Sequence, residues 1–421
     1  MHRELGIFFR LTIPLLLGVL APAPCEAEWY KGVTHVHSLW SDGDTAPEVI
    51  AAWYKERGYN FAAFSEHHVL QEGDKYFSIM PDSYLTPADV EEIKQQFDED
   101  WVEIKQEGNS TRMRLKTHEE LKKHFDEPGK FLLFPAEEIT SLGGPHVNAL
   151  NIREAIKGER GDYAVLIQHY IDQVNAQRQQ YGLPMIAHVN HINFSDGVTT
   201  EELLKLHGLE FFEVYNGHPA VHNWGNAGKG MPATDRHWDV IESMNLLTQP
   251  DYLLYGVATD DSHEYKAWEV GKSNPGRGWI MVNADSLDTD ALIRALQKGA
   301  FYASTGVLLD NIVSDGKSLS FTIQAKEGVQ YKTQFIGTLK GFDSRSQPVL
   351  DTAGKPLPRA SHTYSDEIGK VLAETGDTSP RYAFTGNELY VRAKIVSDKL
   401  QDNPFADGDL ESAWVQPVLV K

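Results

Sequence analysis

His35 and His37 stand one residue apart, and Asp42 follows in a Ser41-Asp42-Gly43 turn. On an extended strand, residues i and i+2 face the same side, so two imidazoles at that spacing can reach one ion. The turn can bring the Asp42 carboxylate back to the same edge. Further along come His67-His68, Glu137-Glu138, His146, His188 with His191, Asn216 with His218, and Asp260-Asp261 with His263. Any one of these is an ordinary polar residue. Gathered in one cup they would be costly without a counter-ion, because buried charges need partners. Histidine and carboxylate donors without thiolate suit divalent Zn, Mn or Fe, and carboxylates can bridge two such ions. Ions about 3.5–4 Å apart would clamp the attacking and leaving oxygens of a phosphoryl transfer. Glu137 competes with Glu138, Asp260 with Asp261, and His191 with His188 for the same roles. The two-residue gap from Asp261 to His263 repeats the same-face spacing and favours Asp261.

These residues fall where short apolar runs stop. Residues 33–35, 61–64, 131–134, 147–150, 185–187, 211–214 and 255–258 read as strands. Thr45-Ala46-Pro47-Glu48 has the form of a capping box, followed by Val49, Ile50, Trp53 and Tyr54 at helical spacing and by Gly58 as a stop. Residues 90–104 carry another helical pattern, and Asp288 is placed to cap a last helix through Leu292 and Leu296. Seven β units alternating with helices predict a barrel-like α/β fold, whose active site lies at the C-terminal strand ends. After Gly306 the pattern alternates, as in 319–323 and 389–396, around a Pro/Ser/Asp/Gly-rich connection at 343–380. Residues 28–305 are therefore expected to form the α/β unit and 306–421 a small all-β, sandwich-like domain. His118, His124, His169, His207, His237 and His362 lie in helical, polar or loop contexts and read as structural or solvated.

The N-terminus reads as an address. Arg3 and Arg10 flank the start of an apolar run over 11–20, and small residues lead to Cys25-Glu26-Ala27. That is the layout of a secretory signal over 1–27, so a secreted or periplasmic protein is expected. The run is short for a membrane span, and no later stretch approaches about 18 apolar residues. Cys25 is the single cysteine, which excludes an intrachain disulfide and cysteine metal clusters. The chain has 39 Lys and Arg against 60 Asp and Glu, a formal charge of −21. Nucleic-acid binding needs a basic footprint that this composition lacks. A small-molecule substrate remains, and bound metal could make it an anionic one.

In order and residue type, six segments resemble the PHP family of polymerase and histidinol phosphatase metal-dependent phosphoesterases. They are His35-Val36-His37-Ser38-Leu39-Trp40-Ser41-Asp42-Gly43, Ser65-Glu66-His67, Pro135-Ala136-Glu137-Glu138-Ile139-Thr140, His146-Val147-Asn148, Ile186-Ala187-His188 and Asp261-Ser262-His263. The similarity covers about residues 30–300 and is nearest in flavour to the metallohydrolase branch of CehA/McbA-like proteins. It implies a distorted (βα)7 barrel with two or three divalent metal ions. It also implies one ion at His35, His37, Glu138 and Asp261, a second shared by Glu138 with His146 and His188, and a third at Asp42, His67 and His263. Ser65-Glu66-His67 departs from the family's Thr-Asp-His, and Ala187-His188-Val189 from its Ala-His-Pro.

The function expected is a secreted, metal-dependent hydrolase of phosphate mono- or diesters that uses a metal-activated water. Arg277, in Gly276-Arg277-Gly278, has the planar fork to meet an anionic substrate. His191 and His218 are candidates for protonating the leaving group. A metal-dependent ester, carbamate or amide hydrolase is the alternative enzyme, since one fold hosts several reactions. A metal-requiring binding protein is the non-enzymatic alternative.

Overall fold

A computed structural model describes residues 27–421. The expected leader lies outside the described residues, apart from its last position. Seven strands adjoin in chain order: β1 (Glu28–Val33), β2 (Phe61–His67), β3 (Leu132–Thr140), β4 (His146–Leu150), β5 (Ile186–Val189), β6 (Phe211–Asn216) and β7 (Tyr255–Thr259). Neighbours pair in parallel except at β4, which is antiparallel to both β3 and β5. The segment 141–145 is too short for a crossover, so β3 and β4 form a hairpin. A parallel bridge between Val36 and Ser262 joins the chain beyond β1 to the chain beyond β7. The His37 N–H donates to the Ser262 carbonyl at 3.1 Å, and the Asp261 N–H to the His35 carbonyl at 3.1 Å. The two ends of the seven-strand run therefore meet where the histidines lie. The first strand ends at Val33, so His35 and His37 sit just past it rather than on it.

Four helices precede β5: α1 (Pro47–Glu56), α2 (Pro87–Phe97), α3 (His118–Phe125) and α4 (Tyr163–Tyr181). The expected Thr45–Glu48 capping box does not form. Pro47 occupies the first helical position, so Ala46 becomes the cap, and the buried Glu48 instead accepts from Trp101 Nε1 at 3.2 Å. The box appears one helix later, where Thr86 accepts from the Asp89 N–H and Asp89 returns the bond to the Thr86 N–H. Asp98, at φ 75°, ends α2, and Ile104 opens a strand rather than closing the helix expected over 90–104. Two further helices are α5 (Thr200–Leu203) and α6 (Thr234–Leu246). Asp288 caps α7 (Thr289–Gln297) by accepting from the Ala291 N–H at 2.9 Å, with Leu292 and Leu296 buried beneath.

Every element after α7 is a strand, and five of these strands continue the same sheet. Past β1 it adds β8 (Trp279–Ala284), β9 (Phe301–Ser304), β13 (Leu410–Leu419), β12 (Glu388–Leu400), β10 (Tyr331–Leu339) and β11 (Lys370–Thr375), thirteen strands in all. α6 is tied to this extension. Arg392 on β12 donates to both Asp239 oxygens at 2.7 and 2.8 Å, and Tyr390 donates to Asp239 at 2.7 Å. Lys394 and Trp414 reach Asp235 on the same helix. These are buried, hydrogen-bonded ion pairs, the form in which buried charge is tolerated. Among the described residues no helix is long and apolar enough to cross a membrane.

Candidate metal centre

The strand ends converge on a cup of about 470 Å³. At its floor lies Glu138, the penultimate buried residue of β3, with imidazole nitrogens around both carboxylate oxygens. His146 Nδ1 and His191 Nε2 each lie 3.1 Å from Oε1, and His35 Nε2 lies 3.4 Å from it. His67 Nδ1 is 2.9 Å and His37 Nε2 3.5 Å from Oε2. Asp261 reaches the same group, with Oδ1 3.2 Å from His35 Nε2 and 3.4 Å from His37 Nε2. Asp42 closes the far side, its oxygens 3.3 Å from His263 Nε2 and 3.3 Å from His67 Nε2.

Four overlapping donor groups result: His37, Asp42, His67 and His263; His35, His191 and Asp261; His35, His37 and Glu138; Glu138, His146 and His191. Within each, the ligand atoms lie within 4.8 Å of one another. The groups share His35, His37, His191 and Glu138, so they are adjacent sites rather than scattered ones. The buried Nε2 atoms of His35 and His37 have no hydrogen-bond partner. Buried nitrogens 3.2–3.5 Å from carboxylate oxygens yet without a hydrogen bond to them are what a cation would satisfy. The donor set of imidazole and carboxylate fits a divalent transition metal.

Charge balance points the same way. Burial alone would raise the Glu138 carboxyl, but the imidazoles of His146, His35 and His67 outweigh it and hold the group well below its ordinary range. Asp261 behaves likewise, with His35 and His37 outweighing its burial. Burial, then the His263 and His67 imidazoles, push His37 down to about 3, so its ring is neutral and one of its nitrogens is available as a ligand.

A second layer fixes the rings. Glu213 is buried on β6 in the run Phe211-Phe212-Glu213-Val214-Tyr215. Its Oε1 is 2.6 Å from His35 Nδ1, and its Oε2 accepts from the His191 N–H at 2.6 Å and from Asn216 Nδ2 at 2.8 Å. Asn190 donates to Glu138 at 2.7 Å, and Asn216 to Asp261 at 3.1 Å. Glu66 turns away from the cup to accept from Ser38, Ser41 and Gln71. Glu213 did not figure among the sequence candidates. Its one signal was a lone carboxylate within an otherwise apolar strand.

The structure places the members of each competing pair differently. Glu137 faces the other side of β3 and accepts from the Ile156 N–H at 2.8 Å, leaving the cup to Glu138. Asp260 is taken up by the backbone N–H groups of Gly276, Arg277 and Gly278 and by Tyr54, while Asp261 faces the cup. His188, expected as a ligand, belongs to none of the donor groups. Its ring is fully buried, its nearest carboxylate oxygen is Glu213 Oε1 at 3.9 Å, and burial pushes it down to about 4. β5 turns the His188 side chain beneath the cup, and the chain beyond it swings His191 in. His191 thus stands among the donors. Arg277 also departs from expectation. Only 1% exposed, it donates to the carbonyls of Gly217, Lys272, Asn403 and Pro404 instead of facing a substrate. His218 does line the cup.

No family model matches the chain, and no curated protein matches it. Among solved structures it is similar to a two-domain protein containing a predicted PHP-like metal-dependent phosphoesterase from Bacteroides vulgatus. The two share 13% sequence identity at a TM-score of 0.39, over 98% of this chain and 100% of that one.

Proposed function

We propose that the chain is a metal-dependent hydrolase of phosphate mono- or diesters, of PHP type, exported by its N-terminal signal. In this reading the seven strands form a distorted barrel, and residues 306–421 are an all-β appendage to it. One observation carries the proposal: four donor groups that share His35, His37, His191 and Glu138. Sharing of that kind suits adjacent ions. His35, His37, Glu138 and Asp261 would hold one, Glu138, His146 and His191 a second, and Asp42, His67 and His263 a third.

Divalent ions held there would supply a water ionised near neutral pH and a Lewis-acid pole for the ester oxygens. The chain's own residues prepare the site. Glu213 accepts from His35 Nδ1 and so leaves Nε2 as the nitrogen that would meet an ion in the cup. Glu138 and Asp261 are held ionised by the surrounding imidazoles. His218 Nδ1 accepts the Ala220 N–H at 3.1 Å, which leaves Nε2 as the N–H of a neutral ring. Burial keeps that ring neutral. From the cup wall it can donate a hydrogen bond to a substrate oxygen.

A second reading has its own support. None of the residues lining the cup is Lys or Arg. A site without fixed cations can also serve a neutral carboxylic ester or carbamate. Hydrolysis of p-nitrophenyl phosphate, bis-p-nitrophenyl phosphate and p-nitrophenyl acetate by metal-reconstituted protein separates the two, beside an Asp261→Ala control. Phosphoester turnover that disappears in the control is expected. Control-sensitive turnover of the acetate alone would replace the phosphoesterase reading with the second one.

A further inference from the structure

Beside the cup lies a second cavity of about 370 Å³, between α1 and α2. The two share a wall. Tyr84 lines both, and the adjacent residues Asp44 and Thr45 line the cup and the groove respectively. Tyr265, on the groove, donates its N–H to Asp44 and its hydroxyl to the His37 carbonyl. The groove is therefore built on the same backbone that positions His37 and Asp42.

Its surface is apolar and aromatic. Ala46, Leu85 and Ile93 are buried at its base, and Val49 and Trp53 are partly exposed on its α1 side. Tyr84 is 55% exposed, and Trp268, also 46% exposed, stacks on Trp53 at 5.6 Å between ring centroids. Exposed aromatic rings gathered over buried apolar groups, next to a polar cup, are the makings of a ligand pocket.

Its charges say what it would accept. Lys266 is the one cation on the lining, and it is engaged: Nζ donates to Asp89 at 2.6 Å and to the Tyr84 carbonyl at 2.8 Å. Glu92 stays on the lining, while Asp42, Asp44 and Glu264 edge the neighbouring cup. An anionic group would be repelled there, and an uncharged ring would bury apolar surface.

We propose that the groove is the subsite for an uncharged aromatic portion of the substrate, with the hydrolysed ester lying over the cup. This rests on the hydrolase reading of the cup and narrows it to aryl or aryl-bearing esters. Such rings would stack against Tyr84 and pack on Val49 while the ester reaches the donors around Glu138.

The test reads binding apart from turnover. Full-length protein treated with chelator is titrated calorimetrically with 1-naphthol. One saturable site is expected, weakened at least tenfold by Val49→Asp and at least threefold by Tyr84→Ala. Tyr84 is a surface residue, so its variant remains informative if Val49→Asp does not fold. In metal-reconstituted protein, Tyr84→Ala should raise KM for 1-naphthyl phosphate by a similar factor with kcat unchanged. No saturable naphthol binding, or equal binding by wild type and both variants, would overturn the subsite. Variant-sensitive naphthol binding alongside silence on every ester would instead count against the hydrolase reading of the cup.

Discussion

Glu213 Oε1 lies 2.6 Å from His35 Nδ1, although 178 residues of chain separate them. Burial would raise this carboxyl, but the imidazoles of His35, His188 and His191 hold it down, so it is ionised and can only accept. His35 Nδ1 must then carry a proton, and Nε2 is the nitrogen that would face an ion in the cup. The same carboxylate accepts from the His191 N–H and from Thr259 Oγ1, so one residue sets two donors and the end of β7. Glu213→Gln keeps the shape but weakens the acceptor. Apparent metal affinity should fall about 10–100-fold, the usual cost of losing such a partner. Chelator competition measures it, and an affinity equal to wild type would refute the assignment.

His191 and His188 should separate cleanly. His191 Nε2 is 3.1 Å from Glu138 Oε1, whereas His188 belongs to none of the donor groups and comes no nearer a carboxylate oxygen than 3.9 Å, at Glu213 Oε1. His191→Ala is expected to lower bound metal by at least one equivalent and to lower turnover with it. His188→Ala removes a packed ring, so it should destabilise the fold by about 2–4 kcal/mol. Its metal stoichiometry should be retained. Elemental analysis after dialysis gives both counts. Loss of metal from His188→Ala with retention in His191→Ala would reverse the assignment.

Arg277 is a cross-tie. It holds Gly217, beside Asn216 and His218, to Lys272 in the loop whose next residue, Ser273, accepts from the His263 N–H. It also holds both to Asn403 and Pro404 between β12 and β13. Arg277→Ala would strand several buried carbonyls, and about 3 kcal/mol or more of stability should go with them. Urea denaturation reads that loss. A variant as stable as wild type, with only a raised KM for phosphoesters, would restore the substrate-contact role that the sequence suggested.

The cup was readable because imidazoles and carboxylates at the ends of apolar runs have little structural use there. His35, His37, Glu138 and Asp261 stood out for that reason. Glu213 did not, because a single carboxylate inside a strand gives no sign of which buried ring it will meet. The choice between His188 and His191 depends on how the chain leaves β5, and spacing alone does not carry that. The reversed β4 was legible in principle: residues 141–145 leave no room for a helix. Thr45 and Glu48 misled because Pro47 takes the first helical position and moves the cap by one. The joining of β9 to β13 could not be read, since pairing across more than a hundred residues leaves no local trace.

His237 gives a pH dependence that lies away from the cup. It is fully buried on α6, with Nδ1 2.9 Å from Thr200 Oγ1 and Nε2 unpartnered. Burial alone pushes it down to about 3 from an ordinary 6.5. Between those values the unfolded chain binds a proton that the folded chain refuses, so stability rises with pH across the window. The contribution is complete above about pH 6.5 and drains as the pH falls toward 3, at no more than about 1.4 kcal/mol per pH unit. Moving from pH 7 to 4.5 should therefore cost the wild type about 2 kcal/mol more than His237→Gln, whose amide can still meet Thr200. Urea melts with chelator present, to keep metal binding from contributing, give the comparison. Equal losses in the two proteins would mean that His237 takes up its proton in the folded state as readily as in the unfolded one.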